Sequence, residues 1–532
     1  MSVLLSVLRA IGISLPGLIA LFLVARAIFD ENLSDIRYAA GLLLIFALTL
    51  LIRAETPQAP SARGAGLARV FLIGLPIFLI YPITVVVLIF GKTDMAAFVF
   101  HLVFGMDGTP WVDLIPYLLT AAVFWLVFSL SVFRLRAWLN RIPLAYAAIG
   151  ACVLAMNPLV YDLAFNRAAA AYGARESLKS EYVVPEIIDA PQRPNLIYLY
   201  LEGYERGYLS EALLGGRTAP MRQIEANALA FSNIHQVEAT GWSLAGSIAT
   251  QCGVPTLPLG ARPLDSFSEV KLIVPEMTCL GDVLSDRGYH LTYMSGTQIV
   301  GNKMGFYGFD NFVTTHGFDE IQDRNSIELA RTDALKGSKN DNWALYDSEL
   351  LSTTLNIVKE RDPGPDPFAV FVATMDTHGP DGVISPECRA PGEPAVLPQM
   401  EPSIACTAQL VEAFLTDLAA MVDMQDYRVI ITSDHLSHRN NLTELLNTKP
   451  RRNTVMLMGG DTAATMIERP GSSLDIYPTI LDWLGLLSPS NTRAGLGASL
   501  IGADETLLER FGVDDVNARL KVDVDLAQFI WQ

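Results

Sequence analysis

The sequence predicts two different parts, an N-terminal bundle of about five transmembrane helices and a C-terminal α/β domain with a mostly parallel sheet. Long apolar stretches dominate the chain up to residue 165, whereas the chain from residue 166 onward has the composition of a soluble protein. In the second part, short apolar runs alternate with stretches suited to helices, which indicates a sheet covered on both faces. We therefore divide the 532 residues into a transmembrane domain (1–165), a juxtamembrane linker (166–193) and a soluble domain (194–532).

Five apolar stretches in the first part approach or exceed the roughly 17–25 residues that a helix needs to cross a bilayer. The predicted spans are about residues 3–29, 38–53, 69–91, 114–135 and 142–165. The first stretch is too long for the core of a signal peptide and another span follows it, so we predict an anchor. A shorter apolar run at 98–104 is predicted to be re-entrant or interfacial.

The basic residues predict the orientation of these spans. If the N-terminus is cytoplasmic, the inside loops carry an excess of arginine, namely Arg9, Arg53, Arg63, Arg69, Arg134, Arg136 and Arg141. The outside loops then carry only Arg26, Arg37 and Lys92. An excess of positive charge inside is the usual rule for membrane proteins. Five spans then place everything after residue 165 outside the cytoplasm.

Four of the five cysteines lie in the part predicted to be outside, at Cys252, Cys279, Cys388 and Cys406, whereas Cys152 lies within a predicted span. An even number of cysteines in an oxidising compartment indicates disulfides. Sequence alone allows three pairings. We expect Cys252–Cys279 and Cys388–Cys406, because each cysteine then joins its nearer partner. The alternative is four reduced, buried thiols.

The charge of the chain argues against one class of function. The formal net charge is -18 at pH 7, and no cluster of basic residues stands out. Because nucleic-acid binding depends on positive charge, we expect no nucleic-acid partner.

Polar side chains follow several predicted strands at the point where each strand ends. The strand-like runs are 196–201, 291–294, 368–373, 429–432 and 455–458, and helix-compatible stretches cover 343–359 and 407–421. In an open α/β sheet, the loops after the carboxyl ends of the strands form the site. The side chains that follow strands are Glu202, Asp376, His378, Asp434 and His435. Carboxylates and imidazoles are ligands for divalent metals, so Glu202, Asp434 and His435 suggest one metal site.

A hydroxyl-rich turn at residues 240–253 precedes a predicted helix and contains Ser243. A hydroxyl at a helix N-terminus and near a cation is a candidate nucleophile for a phosphate ester. The alternative is that Ser243 caps the helix. The local sequence leaves both interpretations open.

Taken together, these segments resemble the membrane-anchored phosphoglycerol transferases of the alkaline phosphatase and sulfatase superfamily. Those proteins act on osmoregulated periplasmic glucans and are relatives of the lipoteichoic acid synthases. The matching stretches are 195–202, 240–253, 279–282, 317–320, 376–388, 433–435, 475–480 and 495–500. The resemblance covers most of residues 194–502 and implies an alkaline phosphatase/sulfatase-like fold for the soluble domain.

The resemblance implies roles for four residues at the strand and helix ends. Glu202, Ser243, Asp434 and His435 would hold one divalent metal ion, with manganese expected first and magnesium or zinc as alternatives. Ser243 takes the position of the nucleophile, where family members usually carry threonine; serine keeps the hydroxyl. Sulfatases that cleave sulfate esters need proline two residues after the nucleophile and arginine two residues later, and the segment 243–247 has neither.

Four further residues are expected near the substrate. His378 can bind a phosphoryl oxygen or protonate a leaving alkoxide, or it is a structural loop histidine. Lys303 lies where relatives bind glycerol phosphate and can hold a phosphate oxygen as a point charge, or it is an exposed loop lysine. Trp343 either lines the pocket or belongs to the core. Asp376 is expected to contact the substrate.

The function implied by the resemblance is transfer of phosphoglycerol from a phosphatidylglycerol-type lipid to a periplasmic glucan or other glycan, through a covalent phosphoglyceryl-serine intermediate. The protein would then lie in a bacterial inner membrane with its catalytic domain in the periplasm, and the bilayer itself would be a partner. The alternatives are a phosphoethanolamine transferase, a phosphodiesterase or phosphatase on the same fold, and a non-catalytic membrane scaffold.

The arginine distribution makes a direct prediction about topology. Because the N-terminus is predicted to be cytoplasmic and the chain is predicted to cross the membrane five times, the C-terminal Gln532 is expected outside the cytoplasm. A C-terminal alkaline phosphatase fusion should therefore be active, and a C-terminal green fluorescent protein fusion exported by the general secretory route should be dark. The reverse pattern would overturn the five-span topology.

Overall fold

The computed structural model describes residues 176–190, 192–258, 272–300, 308–330, 344–390, 392–394 and 399–532. The five predicted spans, Lys303 and Trp343 lie outside these residues, so what the sequence predicts for them stays a prediction. The described part of the chain is an α/β domain, as expected.

An eight-stranded, mostly parallel sheet lies at the centre of the described domain. The strands in it are β1 (Asn195–Leu201), β2 (Leu229–Phe231), β4 (His290–Ser295), β5 (Glu320–Gln322), β6 (Phe368–Ala373), β7 (Tyr427–Ser433), β8 (Val455–Met458) and β9 (Thr465–Ile467). Their spatial order is β5-β4-β6-β1-β7-β8-β2-β9. Within this sheet β8 runs antiparallel to both neighbours, and the other pairs are parallel. The predicted mostly parallel sheet is therefore confirmed.

Two small ribbons accompany this sheet. In the first, β3 (Ile234–His235) pairs in parallel with β10 (Gly471–Ser472). In the second, β11 (Arg493–Ala494) and β12 (Gly497–Ala498) form a short antiparallel hairpin.

Helices connect the strands and cover the sheet. The α-helices are α1 (Glu211–Leu214), α2 (Ala219–Ala226), α3 (Ser243–Cys252), α4 (Leu280–Ser285), α5 (Phe309–Thr315), α6 (Arg324–Ala330), α7 (Asp347–Arg361), α8 (Glu401–Met421), α9 (Thr443–Leu446), α10 (Ser473–Trp483), α11 (Leu507–Phe511), α12 (Val513–Leu520) and α13 (Val524–Trp531). Short 3₁₀ turns occur at Leu178–Glu181, Arg206–Leu209, Gly215–Thr218 and Pro386–Cys388.

The central strand β1 shows why both faces of the sheet are covered. Successive side chains of a strand point to opposite faces. Tyr198 and Tyr200 join one hydrophobic cluster with side chains of α3 and α10. Ile197 and Leu199 join a second cluster with side chains of α7 and α8. A strand buried on both faces reads as a continuous apolar run, which is how β1 appears in the sequence.

Helix α8 begins at Glu401, six residues before the predicted start at 407. Pro402 lies in its first turn, where the missing backbone N–H breaks no helical hydrogen bond. Among the described residues, α8 alone is long and apolar enough that it could also span a membrane. Ile404, Val411 and Phe414 pack in the core of the domain, and a core helix meets the same criterion.

The end of the predicted linker is tied to the domain. The carboxylate of Asp523, at the start of α13, accepts hydrogen bonds from the Ser177 hydroxyl and the Leu178 backbone. The side chain of Glu181 forms ion pairs with Arg493 and Arg510. The Leu178 side chain is fully buried in the same cluster as α3. From residue 177 onward, the chain is therefore packed against the domain.

Both predicted disulfides are present. Cys252 is the last residue of α3 and bonds to Cys279, which precedes α4, with a Cα–Cα distance of 4.2 Å. Cys388 bonds to Cys406 on α8 with a Cα–Cα distance of 5.6 Å. These are the two pairings that the sequence analysis expects.

We expect the Cys252–Cys279 disulfide to stabilise the domain, because it restricts the unfolded chain. The double variant Cys252→Ala/Cys279→Ala should lose about 2–5 kcal/mol of unfolding free energy. Thermal unfolding of the full chain, with Cys152→Ala as the control variant, measures the loss. Ready alkylation of all four bonded cysteines without reductant would contradict the assignment.

Candidate active site

The register of two neighbouring strands brings the candidate metal ligands together. Strands β1 and β7 are parallel, and Leu201 lies opposite Ser433. Glu202 follows β1 directly, and Asp434 and His435 follow β7. All three side chains are buried, with exposed fractions of 3%, 5% and 1%. The carboxyl ends of adjacent parallel strands thus create one buried acidic cluster, as the strand-end pattern predicts.

Each of the three side chains directs one potential ligand atom, a carboxylate oxygen or the imidazole Nε2, toward the other two. The His435 Nε2 atom lies 3.4 Å from Glu202 Oε1 and 3.3 Å from Asp434 Oδ2. One ligand atom from each residue lies within 4.8 Å of the others. Two carboxylate oxygens and one imidazole nitrogen form a donor set that suits manganese, magnesium or zinc. These residues therefore fit a divalent cation.

Hydrogen bonds outside the cluster orient these ligands. The His435 Nδ1 atom donates to the Leu436 carbonyl over 2.8 Å, which leaves Nε2 as the free ring nitrogen. The Asp434 Oδ1 atom accepts the backbone N–H groups of Gly203 and His435, both at 2.8 Å. Because Oδ1 is occupied in this way, Oδ2 is the oxygen that faces the cluster.

The protonation of the cluster reflects its excess negative charge. Burial raises the pKa of Asp434 to about 7, and the nearby Glu202 carboxylate adds to the increase. Burial opposes the charge on His435, but the two carboxylates outweigh it and raise the pKa of His435 to about 9. Burial likewise opposes the charge on Glu202, whose pKa is nevertheless lowered by His435. A divalent cation would supply the positive charge that these carboxylates require.

Ser243 is the first residue of α3 and faces this cluster. The N-cap residue is Trp242, so the interpretation of Ser243 as the helix cap is wrong. The Ser243 hydroxyl donates to Glu202 Oε2 over 3.2 Å and lies 3.5 Å from His435 Nε2. The positive end of the helix dipole favours negative charge at this position.

A glycine allows α3 to approach the cluster so closely. A Cβ atom on Gly246 would lie 1.9 Å from the Asp434 backbone oxygen. Any larger residue would push the helix, and Ser243 with it, away from the loop after β7. The glycine three residues after the hydroxyl is therefore a steric requirement of the site.

The loop after β6 supports Glu202 from the other side. The Glu202 backbone N–H donates to Thr374 Oγ1 over 3.2 Å, and the Thr377 hydroxyl donates to the Glu202 carbonyl over 2.5 Å. His378 follows in the same loop, and its ring centroid lies 6.5 Å from that of His438. The His438 ring in turn lies 4.5 Å from the His435 ring. The three histidine rings therefore lie near one another, with His438 the nearer of the two to His435.

Asp376 lies behind this loop. Its carboxylate accepts a hydrogen bond from Ser385, and 1% of the residue is exposed. Burial and the neighbouring Asp347 carboxylate raise its pKa well above the ordinary value. Its predicted contact with substrate stays a prediction.

The sequence analysis missed a group of residues in the pocket next to Ser243. This pocket is also lined by Ser247, Tyr293, Ser295, Ile299, Phe309 and Met375. Ser295 ends β4, the neighbour of β6, so the same strand-end rule could have identified it. Tyr293 lies within the strand and reads as a core residue.

A comparison with known families finds that the family described as Sulfatase matches residues 194–486, more than half of the chain. Phosphoglycerol transferase I of Xanthomonas campestris pv. campestris (strain B100) is 29% identical over 427 residues, covering 78% of this chain and 58% of the relative. Phosphoglycerol transferase I of Escherichia coli (strain 55989 / EAEC) is 30% identical over 315 residues, covering 57% of this chain and 38% of the relative. The chain thus spans well under two thirds of these relatives.

Solved structures align with part of this chain. An alkaline phosphatase superfamily protein from Vibrio parahaemolyticus superposes with a TM-score of 0.46 and 19% identity, covering 65% of this chain and 78% of the other. The lipoteichoic acid synthase LtaP from Listeria monocytogenes superposes with a TM-score of 0.47 and 14% identity, covering 67% and 97%. Similarity at this level says nothing about substrates.

The acidic cluster makes a prediction about metal content. Asp434→Asn removes one charged ligand while keeping the side-chain shape, so bound manganese should fall close to background. Asp426→Asn, an exposed residue just before the opposite end of β7, is the matched control and should keep its metal. Elemental analysis of both proteins after gel filtration measures the difference. Full occupancy in Asp434→Asn would refute the site.

Proposed function

The chain belongs to the sulfatase family, and within that family we propose that it transfers phosphoglycerol from a phosphatidylglycerol-type lipid to a glucan or other glycan. The observation that carries the proposal is the Ser243 hydroxyl, which donates to Glu202 within a buried set of metal-type ligands. The names of the relatives suggest the transferred group. The segment 243–247 lacks the proline and arginine that sulfate ester cleavage requires, so a phosphate ester is the better substrate.

In the first step, the Ser243 oxygen attacks phosphorus and the bond from phosphorus to the diacylglycerol oxygen breaks. The Ser243 proton leaves toward Glu202, its hydrogen-bond acceptor. His378 donates a proton to the departing oxygen. The product is a phosphoglyceryl-serine, and diacylglycerol leaves with its charge neutralised.

In the second step, a glycan hydroxyl attacks the same phosphorus and the bond from phosphorus to the Ser243 oxygen breaks. Glu202 returns the proton that it accepted in the first step, which restores the Ser243 hydroxyl. His378 accepts the proton from the glycan, which reverses its first role. The bond between glycan and phosphoglycerol forms as the serine ester breaks, so no oxidant or reductant is required.

The proposed cofactor is one divalent cation, manganese first, held by Glu202, Asp434 and His435 together with Ser243. When bound, it would lower the pKa of the serine hydroxyl and neutralise charge on the phosphoryl group. The N-terminus of α3 contributes its unsatisfied backbone N–H groups to the same region. Lys303, Trp343 and Asp376 are proposed to contact the substrate.

A lipid donor agrees with the predicted location. The donor stays in the bilayer, and the predicted spans would hold the domain at the surface of a bacterial inner membrane, on the periplasmic side. The alternative functions, a phosphoethanolamine transferase and a phosphodiesterase or phosphatase, use the same nucleophile and differ in the head group or in the final acceptor. Incubation with head-group-labelled lipids and identification of the labelled product distinguishes them.

Substitutions at Ser243 test the covalent mechanism. Ser243→Ala should reduce lipid cleavage to the uncatalysed level, because no oxygen remains to attack phosphorus, while metal content stays unchanged. Ser243→Thr should retain activity, because it keeps the hydroxyl. Release of labelled diacylglycerol measures both.

Thr240→Val is the matched control. The Thr240 hydroxyl donates to the Val237 carbonyl over 2.8 Å and accepts from Ser473 over 3.1 Å, so it is engaged away from the cluster. The variant should keep measurable turnover. If Ser243→Ala were active and Thr240→Val inactive, the nucleophile would be Thr240. If both were active, the covalent mechanism through this turn would be wrong.

A further inference from the structure

The loop after β6 carries His378, the residue that donates a proton in the first step of the proposed reaction. Strand β6 ends at Ala373, and the Thr374 backbone N–H still donates to the Tyr200 carbonyl of β1 over 2.9 Å. After Thr374 the chain leaves the sheet. The position of the His378 ring therefore depends on what holds the backbone of the next few residues.

Asp347, the first residue of α7, meets the loop at this point. Its Oδ1 atom accepts the backbone N–H of Met375 over 2.7 Å and that of Asp376 over 3.1 Å. The residue is 1% exposed. Hydrogen bonds from backbone N–H groups to a carboxylate are stronger than those between neutral groups. The Asp347 side chain thus supplies, for two residues beyond the sheet, acceptors of the kind that a neighbouring strand supplies within it.

A short series of backbone contacts links Asp347 to His378. The His378 backbone N–H donates to the Met375 carbonyl over 3.0 Å, so Met375 is bonded to Asp347 on one side and to His378 on the other. The Asp376 carbonyl accepts the hydroxyl of Ser403 on α8 over 2.6 Å. The start of the loop is therefore held by side chains of α7 and α8, and a shift of Met375 would move His378 with it.

The electrostatics of Asp347 show how closely its surroundings are fitted to it. Burial raises the pKa of Asp347 to about 6, and the Glu202 carboxylate adds to the increase. Hydrogen bonds from the backbone of Met375 and Asp376 and from the Thr407 side chain act in the opposite direction, because they favour the charged form. A carboxyl group is costly to bury, so its presence here indicates that its hydrogen bonds to the loop are needed.

The candidate metal ligand Glu202 is held independently of Asp347. Strand β1, which precedes Glu202, is paired along its length with β6 and with β7. The loop contacts Glu202 through the Thr374 and Thr377 hydroxyls, and both bonds are made to its backbone and not to its carboxylate. Loss of the Asp347 hydrogen bonds should therefore displace His378 and leave the metal ligands in place.

We propose that Asp347 is a positioning residue, which holds the loop after β6 so that His378 can protonate the departing oxygen. The proposal rests on the proposed function. In that step the proton passes from the His378 ring to the diacylglycerol oxygen as the bond from phosphorus to this oxygen breaks. A 4-nitrophenyl ester of phosphoglycerol gives the same phosphoglyceryl-serine, but its leaving group departs as the stable nitrophenolate anion and needs no proton.

Single-turnover release of the leaving group from phosphatidylglycerol and from the nitrophenyl donor tests the proposal on the full-length, manganese-supplied protein. Asp347→Ala should slow diacylglycerol release by about 10–100-fold and nitrophenolate release by less than about threefold, because only the first requires an aligned acid. Bound manganese should be unchanged. Asp347→Asn keeps one acceptor oxygen and should recover most of the rate.

His378→Ala should show the same selectivity between the two donors. Because both residues are proposed to act on one proton transfer, Asp347→Ala should cost little more in the His378→Ala background. Full additivity of the two losses would contradict a role that acts through His378.

Asp475→Ala is the matched control. Asp475 is a carboxyl group on α10 that is equally buried, and it accepts the backbone N–H groups of Ser472 and Ala498 over 2.7 and 2.8 Å. Its loss should lower the thermal stability without changing the ratio of the two release rates. Ser403→Ala removes another bond to the loop and should shift this ratio in the same direction as Asp347→Ala, so it carries the test if Asp347→Ala does not fold. Equal losses for both donors, or no loss for phosphatidylglycerol, would overturn the proposal.

Amide hydrogen exchange of residues 375–378, measured by mass spectrometry, separates this inference from the proposed function. Exchange should be faster in Asp347→Ala than in the wild type and nearly restored in Asp347→Asn; unchanged exchange would overturn the inference. Faster exchange, together with no cleavage of either donor by the wild type, would refute the proposed function and leave the hold of Asp347 on the His378 loop standing. Cleavage of both donors with a ratio that Asp347→Ala does not alter would refute the inference and leave the function standing.

Discussion

The parallel pairing of β1 with β7 is the constraint on which the site depends. It places Glu202 beside Asp434, two carboxylates that are almost completely buried. Buried like charges repel strongly unless a positive charge accompanies them. His435 supplies one positive group in the described geometry, and a divalent cation would supply a stronger one. The surrounding structure is therefore organised to hold negative charge at a largely buried position.

The loop after β7 is held by a buried network that lies outside the three candidate metal ligands. Arg451 donates to the Ser437 carbonyl over 2.6 Å and pairs with Glu205, which is fully buried. The Tyr208 hydroxyl donates to Ser437 Oγ over 2.7 Å. Because Ser437 lies between His435 and His438 in the chain, the network restrains the backbone that carries both rings. A site of this kind works only when its ligands are held within a fraction of an ångström, and this network supplies the rigidity.

Sequence patterns were sufficient for five of the eight strands in the central sheet of the described domain, and for the residues that follow them; the three-residue strands β2, β5 and β9 were not predicted. Glu202, Asp434 and His435 could be predicted because the carboxyl ends of adjacent parallel strands must meet. Tyr293 could not, because a tyrosine inside an apolar strand has the same pattern whether its hydroxyl meets a core atom or a pocket. The early start of α8 was also missed, because Pro402 resembles a helix breaker unless the first turn is known to be there. The placement of residues 177–183 depends on a few polar contacts with residues that are distant in the sequence, such as the contact of Ser177 with Asp523. A local sequence pattern cannot predict such contacts.

These distant contacts bear on the nucleophile itself. Residue Val183 pairs with Gly495 through two backbone hydrogen bonds of 2.8 Å, and the next residue, Leu496, donates to the Gly253 carbonyl over 2.8 Å. Gly253 is the C-cap of α3, and Cys252 beside it is fixed to Cys279. The far end of α3 is therefore held by a disulfide and by the hairpin β11–β12. The segment around Val183, which follows the predicted membrane region in the chain, is hydrogen-bonded to this hairpin. At the near end, Gly246 permits contact with the Asp434 loop. A helix held at its far end and in close contact at its near end has little freedom to move along its axis, and this places Ser243 beside Glu202 before any substrate arrives.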